Sequence, residues 1–338
     1  MARSEDTSLL EVLAIPAMVG VGALIAVQSE INGRLATELG GGAKGGAAAA
    51  VVSFGLGLAV LASVVLAVPR QRAGVVRILS AVRGHRLPAW QLLGGVAGAS
   101  LVASQGLAVG TIGVALFTVA MVAGQTSSGL LVDRAGLGPS GPQAVSTGRV
   151  VGAVLTVGAV VLGVAGRLGG GDPLTAGVLL LCLLPLLAGA ATSWQQAVNG
   201  RVSAVGGPIA AAFNNFVVGL LALLSFLVVV LLVAPGDLQG LPGTWWLYAG
   251  GPVGVLFITL SARLVSVHGV LVLSLCTVAG LVVGSVLIDA LGPDSHLGPL
   301  TVVGALLVLA GVAVGAVSSA RAARARRAGA VAQAPVAP

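Results

Sequence analysis

Charge is what this chain has least of. Only 8% of its 338 residues are Asp, Glu, Lys or Arg, against roughly 25% in a soluble domain. A water-facing surface cannot be assembled from so few ionic groups, and no soluble core explains the deficit. Aromatic residues make up 3%, which leaves little on which to stack bases. The formal charge of +7 is therefore no sign of nucleic acid, and no nucleic-acid partner is expected. Lys44 is the single lysine. Cys182 and Cys276 each sit within an apolar stretch and read as packed free thiols rather than a disulfide or metal ligands. His85, His268 and His296 are scattered among loops and helix ends. Gly124-Gln-Thr-Ser-Ser-Gly129 imitates a phosphate loop but lacks its lysine. No catalytic constellation, metal site or cofactor is expected, and the chain does not read as an enzyme.

What is present is apolar. Hydrophobic residues are 57% of the chain and the mean hydropathy is +1.08. Stretches of 18 or more nearly uncharged residues recur from end to end, long enough to cross a bilayer. The 52 glycines lie among Ala, Val and Leu, as in closely packed membrane helices. Met1–Glu11 is too acidic for a signal peptide and no small-residue cleavage site follows, so the first span reads as retained. Gly and Pro punctuation divides the chain into ten expected helices: 12–33, 46–68, 89–109, 112–132, 145–166, 174–198, 208–233, 245–265, 269–290 and 297–318.

The chain also repeats itself. Gln28-Ser-Glu-Ile-Asn32-Gly33-Arg34 returns as Gln195-Gln-Ala-Val-Asn199-Gly200-Arg201, an offset of 167. Trp90, Gly94, Gly95, Gly113, Gly124 and Asp133 return as Trp246, Gly250, Gly251, Gly269, Gly280 and Asp289, an offset of 156. Each Trp is followed by a GxxxG, Gly94–Gly98 and Gly250–Gly254, which lets helix backbones approach closely.

Placing both termini in the cytoplasm puts 14 cations on cytoplasmic segments and 3 on the other side, as the positive-inside rule demands. Each copy holds five helices, an odd number, so the second must enter the membrane upside down relative to the first. The expected fold class is all-α: a polytopic membrane protein with ten transmembrane helices as two five-helix inverted repeats. Residues 1–11 form a cytoplasmic N-terminus and 12–166 the first repeat. Residues 174–318 form the second, inverted repeat and 319–338 a disordered cytoplasmic tail. A basic cytoplasmic link, 70–88, reads either as an interfacial helix touching anionic lipid or as an ordinary loop.

The phrase Gln-x-x-x-Asn-Gly-Arg, followed by an Ala-rich stretch and Ser53-Phe-Gly-Leu-Gly57, resembles the YdcZ-like family of the drug/metabolite transporter superfamily. The second half repeats the phrase and continues with Asn215-Phe216-Val-Val-Gly219. The resemblance runs from Ile15 to about Val317 and looks like a fused tandem form. It implies a solute exporter of the cell inner membrane and supplies no substrate.

Polar groups at membrane depth are the candidate site, because they are costly there. Gln28 and Gln195 occupy matching positions, with Asn32 and Asn199 one turn on. They read either as cavity lining or as interhelical hydrogen-bond glue. Gln125, Ser127 and Ser128 form a polar patch that the second half lacks, able to select substrate or to satisfy a bent backbone. Glu30 is the carboxylate set well inside a span. It reads as a proton-coupling candidate or as an i,i+4 partner of Arg34; its repeat counterpart is Ala197. Asp133 and Asp289 recur at helix ends and read as structural caps or loop anchors. The expected function is a secondary transporter of a small metabolite or amphipathic compound, by alternating access and in the export direction. A non-transporting membrane scaffold is the alternative. Expected partners are a small-molecule substrate and membrane lipid, with the proton as candidate coupling ion and a second copy in a homodimer.

The cation bias makes a direct prediction. A single cysteine at Gly170 reacts with an impermeant reagent in intact cells, and one in the C-terminal tail does not. Labelling of the tail overturns the helix count or the orientation.

Overall fold

The computed structural model describes residues 2–138, 142, 147–169, 176–292 and 298–332. Nine α-helices fill those residues: α1 (Ala2–Glu38), α2 (Gly42–Ala67), α3 (Pro69–Arg83), α4 (Gly94–Arg134), α5 (Thr147–Gly169), α6 (Ala176–Gly206), α7 (Pro208–Val233), α8 (Gly250–Leu291) and α9 (Pro299–Ala332). No strand occurs among the described residues. Short 3₁₀ turns at Ala89–Leu93 and Trp245–Tyr248 lead into α4 and α8. The expected starts of spans at 145, 174 and 297, and the last residues of the tail, lie outside the described residues.

The breaks follow local chemistry. Gly40, Gly41 and Gly42, at φ 103°, 67° and 58°, turn the chain between α1 and α2 through backbone space that side-chain-bearing residues avoid. Val68 precedes Pro69 and is extended, which ends α2 and starts α3 with proline at its first position. The basic link is thus a helix. Ile78 and Ala81 are buried, Val76 and Leu79 are exposed, and Arg77 donates to the α6 C-terminal carbonyls of Val205 (3.2 Å) and Gly206 (3.3 Å).

Helix α4 runs for 41 residues, about 60 Å at the α-helical rise, twice a bilayer core of roughly 30 Å. It comprises two helices that meet at Gly113, where φ is 76° and ψ 162°. The expected spans 89–109 and 112–132 correspond to these two after the first five residues, which form the 3₁₀ turn, and 245–265, from Gly250 on, and 269–290 both fall within α8. At the other end α9 continues to Ala332. Residues 319–332 are therefore helical where the sequence suggested disorder. Their Ala and Arg have high helix propensity, and proline returns only at Pro335.

Among the described residues, four helical stretches are long and apolar enough to cross a membrane: Ile15–Glu38, Gly42–Ala67, Ala89–Arg134 and Pro208–Val233. Shorter apolar helices accompany them. The outward surface is apolar as well. Leu221, Leu232 and Val233 of α7 are 61%, 81% and 75% exposed, an arrangement suited to lipid and costly in water.

The closest helix contacts cross between the halves and come in matched pairs. α1 lies against α8, and α6 against α4. A methyl group on Gly280 would overlap the Val19 carbonyl oxygen; one on Gly124 would overlap that of Leu186. Gly22 meets the Thr277 carbonyl as Gly189 meets that of Met121. Every partner in each pair is the repeat counterpart of its equivalent in the other. α2 packs on α7 in the same reciprocal way, with Phe54 and Phe216 stacked at 4.8 Å and the ring of each seated on the other's glycine, Gly219 and Gly57. α5 meets α9 through Gly152 and Gly311, each against the other's carbonyl.

These approaches set a stability expectation. Gly280→Ala destabilises by about 1–3 kcal/mol, the usual cost of overpacking, and lowers the melting temperature in detergent. Gly20→Ala, with nothing within 4 Å of the added carbon, does not. Equal melting temperatures for the two variants would refute the close packing.

Candidate functional site: two opposed clefts

On α1 the spacing Glu30, Arg34, Glu38 sets three charged side chains on one helix face. That face borders a cleft of about 490 Å³, closed on other sides by Gly113, Trp246 and Asp289. Arg34 pairs with Glu30 through Nε and Oε1, and its guanidinium lies 5.9 Å from the centroid of the Trp246 ring. Both charged side chains keep contact with solvent, at 43% and 23% exposure, so their pairing adds little stability. The Trp246 wall is tied to the α1–α2 turn by the Gln239 N–H on the Leu39 carbonyl (3.1 Å) and Lys44 Nζ on that of Gly236 (2.7 Å).

Asp289 anchors the floor. It is buried, and its two carboxylate oxygens accept the N–H groups of Val114 and Ala115, each at 2.9 Å. Those two donors are freed by the break at Gly113 and start the second helix of α4. A carboxylate there satisfies both and sits at the positive end of the helix dipole. The expectation that Asp289 is a cap holds, with the difference that it caps another helix. Asp133, its counterpart, pairs instead with Arg149.

A second cleft, of about 420 Å³, lies between Arg86, Gln91, Gly138 and Arg201. Arg201 is the counterpart of Arg34. Among the described residues it is not held by an acid; its Nη2 donates to the Gly136 carbonyl at 2.7 Å and, more weakly, to that of Gly138 at 3.4 Å. Trp90, the counterpart of Trp246, stacks on Trp194 at 6.4 Å.

The repeated amides precede each arginine by two and six residues on the same helix. Gln28 donates to the Gly250 carbonyl at 3.0 Å; Asn32 donates to Gln105 Oε1 at 2.7 Å, and Gln105 donates to Ser29 at 2.9 Å. Asn32 Oδ1 has no hydrogen-bond partner and rests on Gly250. In the other half, a carbon on Gly98 would lie 2.6 Å from Gln195 Nε2, and one on Gly94 2.7 Å from Asn199 Oδ1. The structure thus brings Gln28 with Asn32, and Gln195 with Asn199, each pair onto the GxxxG of the opposite half. None of the four lines either cleft in this conformation. The Gln125 patch lies at the α4–α6 contact: Ser128 donates to the Ala190 carbonyl (3.0 Å), Ser193 donates to that of Gln125 (2.6 Å), and the buried Ser127 hydroxyl has no hydrogen-bond partner. Of the eight predicted substrate and proton-coupling residues, Glu30 alone borders either of these two clefts.

A helical membrane protein with a reciprocal contact pattern and two clefts is the class this geometry defines. The chain matches the family DMT_YdcZ, whose description is "Putative inner membrane exporter, YdcZ", over residues 13–162 and 180–314. It belongs to that family, as the repeated Gln-x-x-x-Asn-Gly-Arg phrase suggested. Membrane location and a transporter rather than an enzyme follow at the level of the family. No curated protein and no solved structure matches the chain.

Asp289→Ala leaves two buried N–H groups without acceptors, at about 1–3 kcal/mol for each orphaned donor. Its melting temperature in detergent falls below that of Asp289→Asn, which keeps one acceptor oxygen. Equal loss in both variants would show that charge alone, and not the two hydrogen bonds, holds the floor.

Proposed function

We propose that the chain is a secondary transporter that moves a small metabolite or amphipathic compound out of the cell by alternating access. In this reading α4 and α8 each cross the membrane twice, ten crossings form two inverted five-helix repeats, and both termini are cytoplasmic. The observation that carries it is the reciprocal packing of each half's first helix on the other half's GxxxG, expected of two copies related by a two-fold axis. The clefts support it. One gathers residues assigned by the cation bias to the outer side, Arg34 and Trp246; the other gathers Arg86 and Arg201 from the inner side. Gln28, Asn32, Gln195 and Asn199 are the proposed polar lining of a path joining the clefts in other conformations, with Gln125, Ser127 and Ser128 as an asymmetric contribution. Glu30 is the candidate proton carrier. The exposed Val76 and Leu79 of α3, flanked by arginines, suit a lipid surface.

Gln28→Leu and Gln195→Leu are each expected to abolish transport at near-normal membrane abundance, because interhelical hydrogen bonds contribute only about 0.6 kcal/mol on average. Glu30→Gln costs little if Arg34 is its only role, and uncouples transport from protons if it carries them. Reconstituted vesicles screened against a metabolite library, with and without a proton gradient, supply the assay. Full transport in the Gln28/Gln195 double variant would assign the amides to packing and move the site elsewhere.

A further inference from the structure

The two halves carry the same gate parts in different arrangements. Asp133-Arg-Ala-Gly136 and Asp289-Ala-Leu-Gly292 are counterparts at the offset of 156. At the first, Gly136 has φ 65°, its N–H bonds the Asp133 carbonyl, and the Leu137 N–H reaches back to Val132. This left-handed turn presents the Gly136 carbonyl to Arg201. At the second, Gly292 is extended, at φ −69° and ψ 151°, and borders the same cleft as Arg34. Arg34 is engaged by Glu30, and the position matching Glu30 in the other half is Ala197.

We infer that Arg201 with the Gly136 carbonyl is a closed latch, and that Arg34 with the Gly292 carbonyl is the same latch held open. This rests on the transport reading above and names the residues that gate it. Closing the Arg34 cleft takes two local changes: Gly292 turns left-handed, as Gly136 already is, and Arg34 exchanges Glu30 for the Gly292 carbonyl. Opening the other side reverses these steps at Gly136 and Arg201. Glycine is required at both turns because the left-handed conformation is cheap only without a side chain. A carbon added at Gly292 presses on the Ile288 carbonyl oxygen at 3.1 Å in the present extended backbone, and the left-handed turn would add backbone strain to that contact. At Gly136, already turned, an added carbon would meet the Pro142 ring at 2.7 Å. Glu30 holds Arg34 back from the carbonyl and so favours the open cleft.

The latch is tested by thiol labelling of the full chain in membrane vesicles, with Cys182→Ala and Cys276→Ala removing the native thiols. Two counterpart positions report the two sides. Ile288→Cys lies in the Arg34 cleft, and Val132→Cys is its buried counterpart, at the start of the turn whose Leu137 N–H returns to the Val132 carbonyl. An impermeant maleimide is supplied from the side each reporter faces. Arg201→Ala is expected to raise the labelling rate at Val132→Cys roughly tenfold, the population change that loss of one charge-assisted hydrogen bond produces. Gly292→Ala and Arg34→Gln lower the rate at Val132→Cys, because the outer side no longer closes; Glu30→Gln raises it. The latch is refuted if Arg201→Ala leaves the rate unchanged, or if Gly292→Ala and Arg34→Gln both label as the parent does. Solute flux is read separately. Labelling shifts without flux of any solute keep the latch and remove the transport reading. Flux with labelling unmoved keeps transport and removes the latch.

Discussion

Helix backbones in this protein touch where no side chain stands between them. Gly22, Gly124, Gly189 and Gly280 each lie directly against a carbonyl of the partner helix, and in lipid such contact replaces the hydrophobic drive that packs helices in water. The remaining architecture follows from that distance. At such separations an amide can span from one helix to the backbone of the next, as Gln28 does to Gly250. The break at Gly113 can meet a carboxylate from α8, and two phenylalanine rings can each occupy the space over the other's glycine. Wider spacing would leave the buried amides without partners at a depth where water is scarce.

Much of this was legible because repetition survives in residue types that cannot be replaced freely. The recurring Trp, GxxxG and Gln-x-x-x-Asn-Gly-Arg elements announced two equivalent units, and the runs of apolar residues announced helices. Glu30 was visible as the odd carboxylate of its span, and Arg34 as its i,i+4 partner. What stayed hidden was long-range pairing. Nothing near Asp289 in sequence says that its oxygens close the break at Gly113, 176 positions earlier. The cleft could not be seen either: Glu30, Arg34, Trp246 and Asp289 each drew notice in the sequence, but nothing there says that α1, α4 and α8 bring them together. The helical course of 319–332 was missed because its arginines read as solvated charge, although alanine and arginine both favour helix.

The clefts and the amides have different physical characters. The arginines stand in partly solvated positions, where exchanging one partner for another costs little. Gln28, Asn32 and Gln105 are enclosed; Asn32, Gln105 and Ser29 form one hydrogen-bonded chain and Gln28 bonds the Gly250 carbonyl, so a lost partner leaves a buried orphan. Ease of rearrangement therefore concentrates at the clefts and resistance to it at the amides.

Close packing between the halves has a consequence for how such a chain can change. Two separate copies of one half would have to carry every substitution twice, once on each side of the assembly. Fusion lifts that constraint. An acid can stand at Glu30 while its counterpart is Ala197, and hydroxyls can gather at Ser127 and Ser128 opposite Val283 and Gly284. The scaffold keeps its symmetry through the glycines, while the two mouths are free to diverge. Direction, which a strictly symmetric pair cannot encode in its sequence, becomes something a single residue can write.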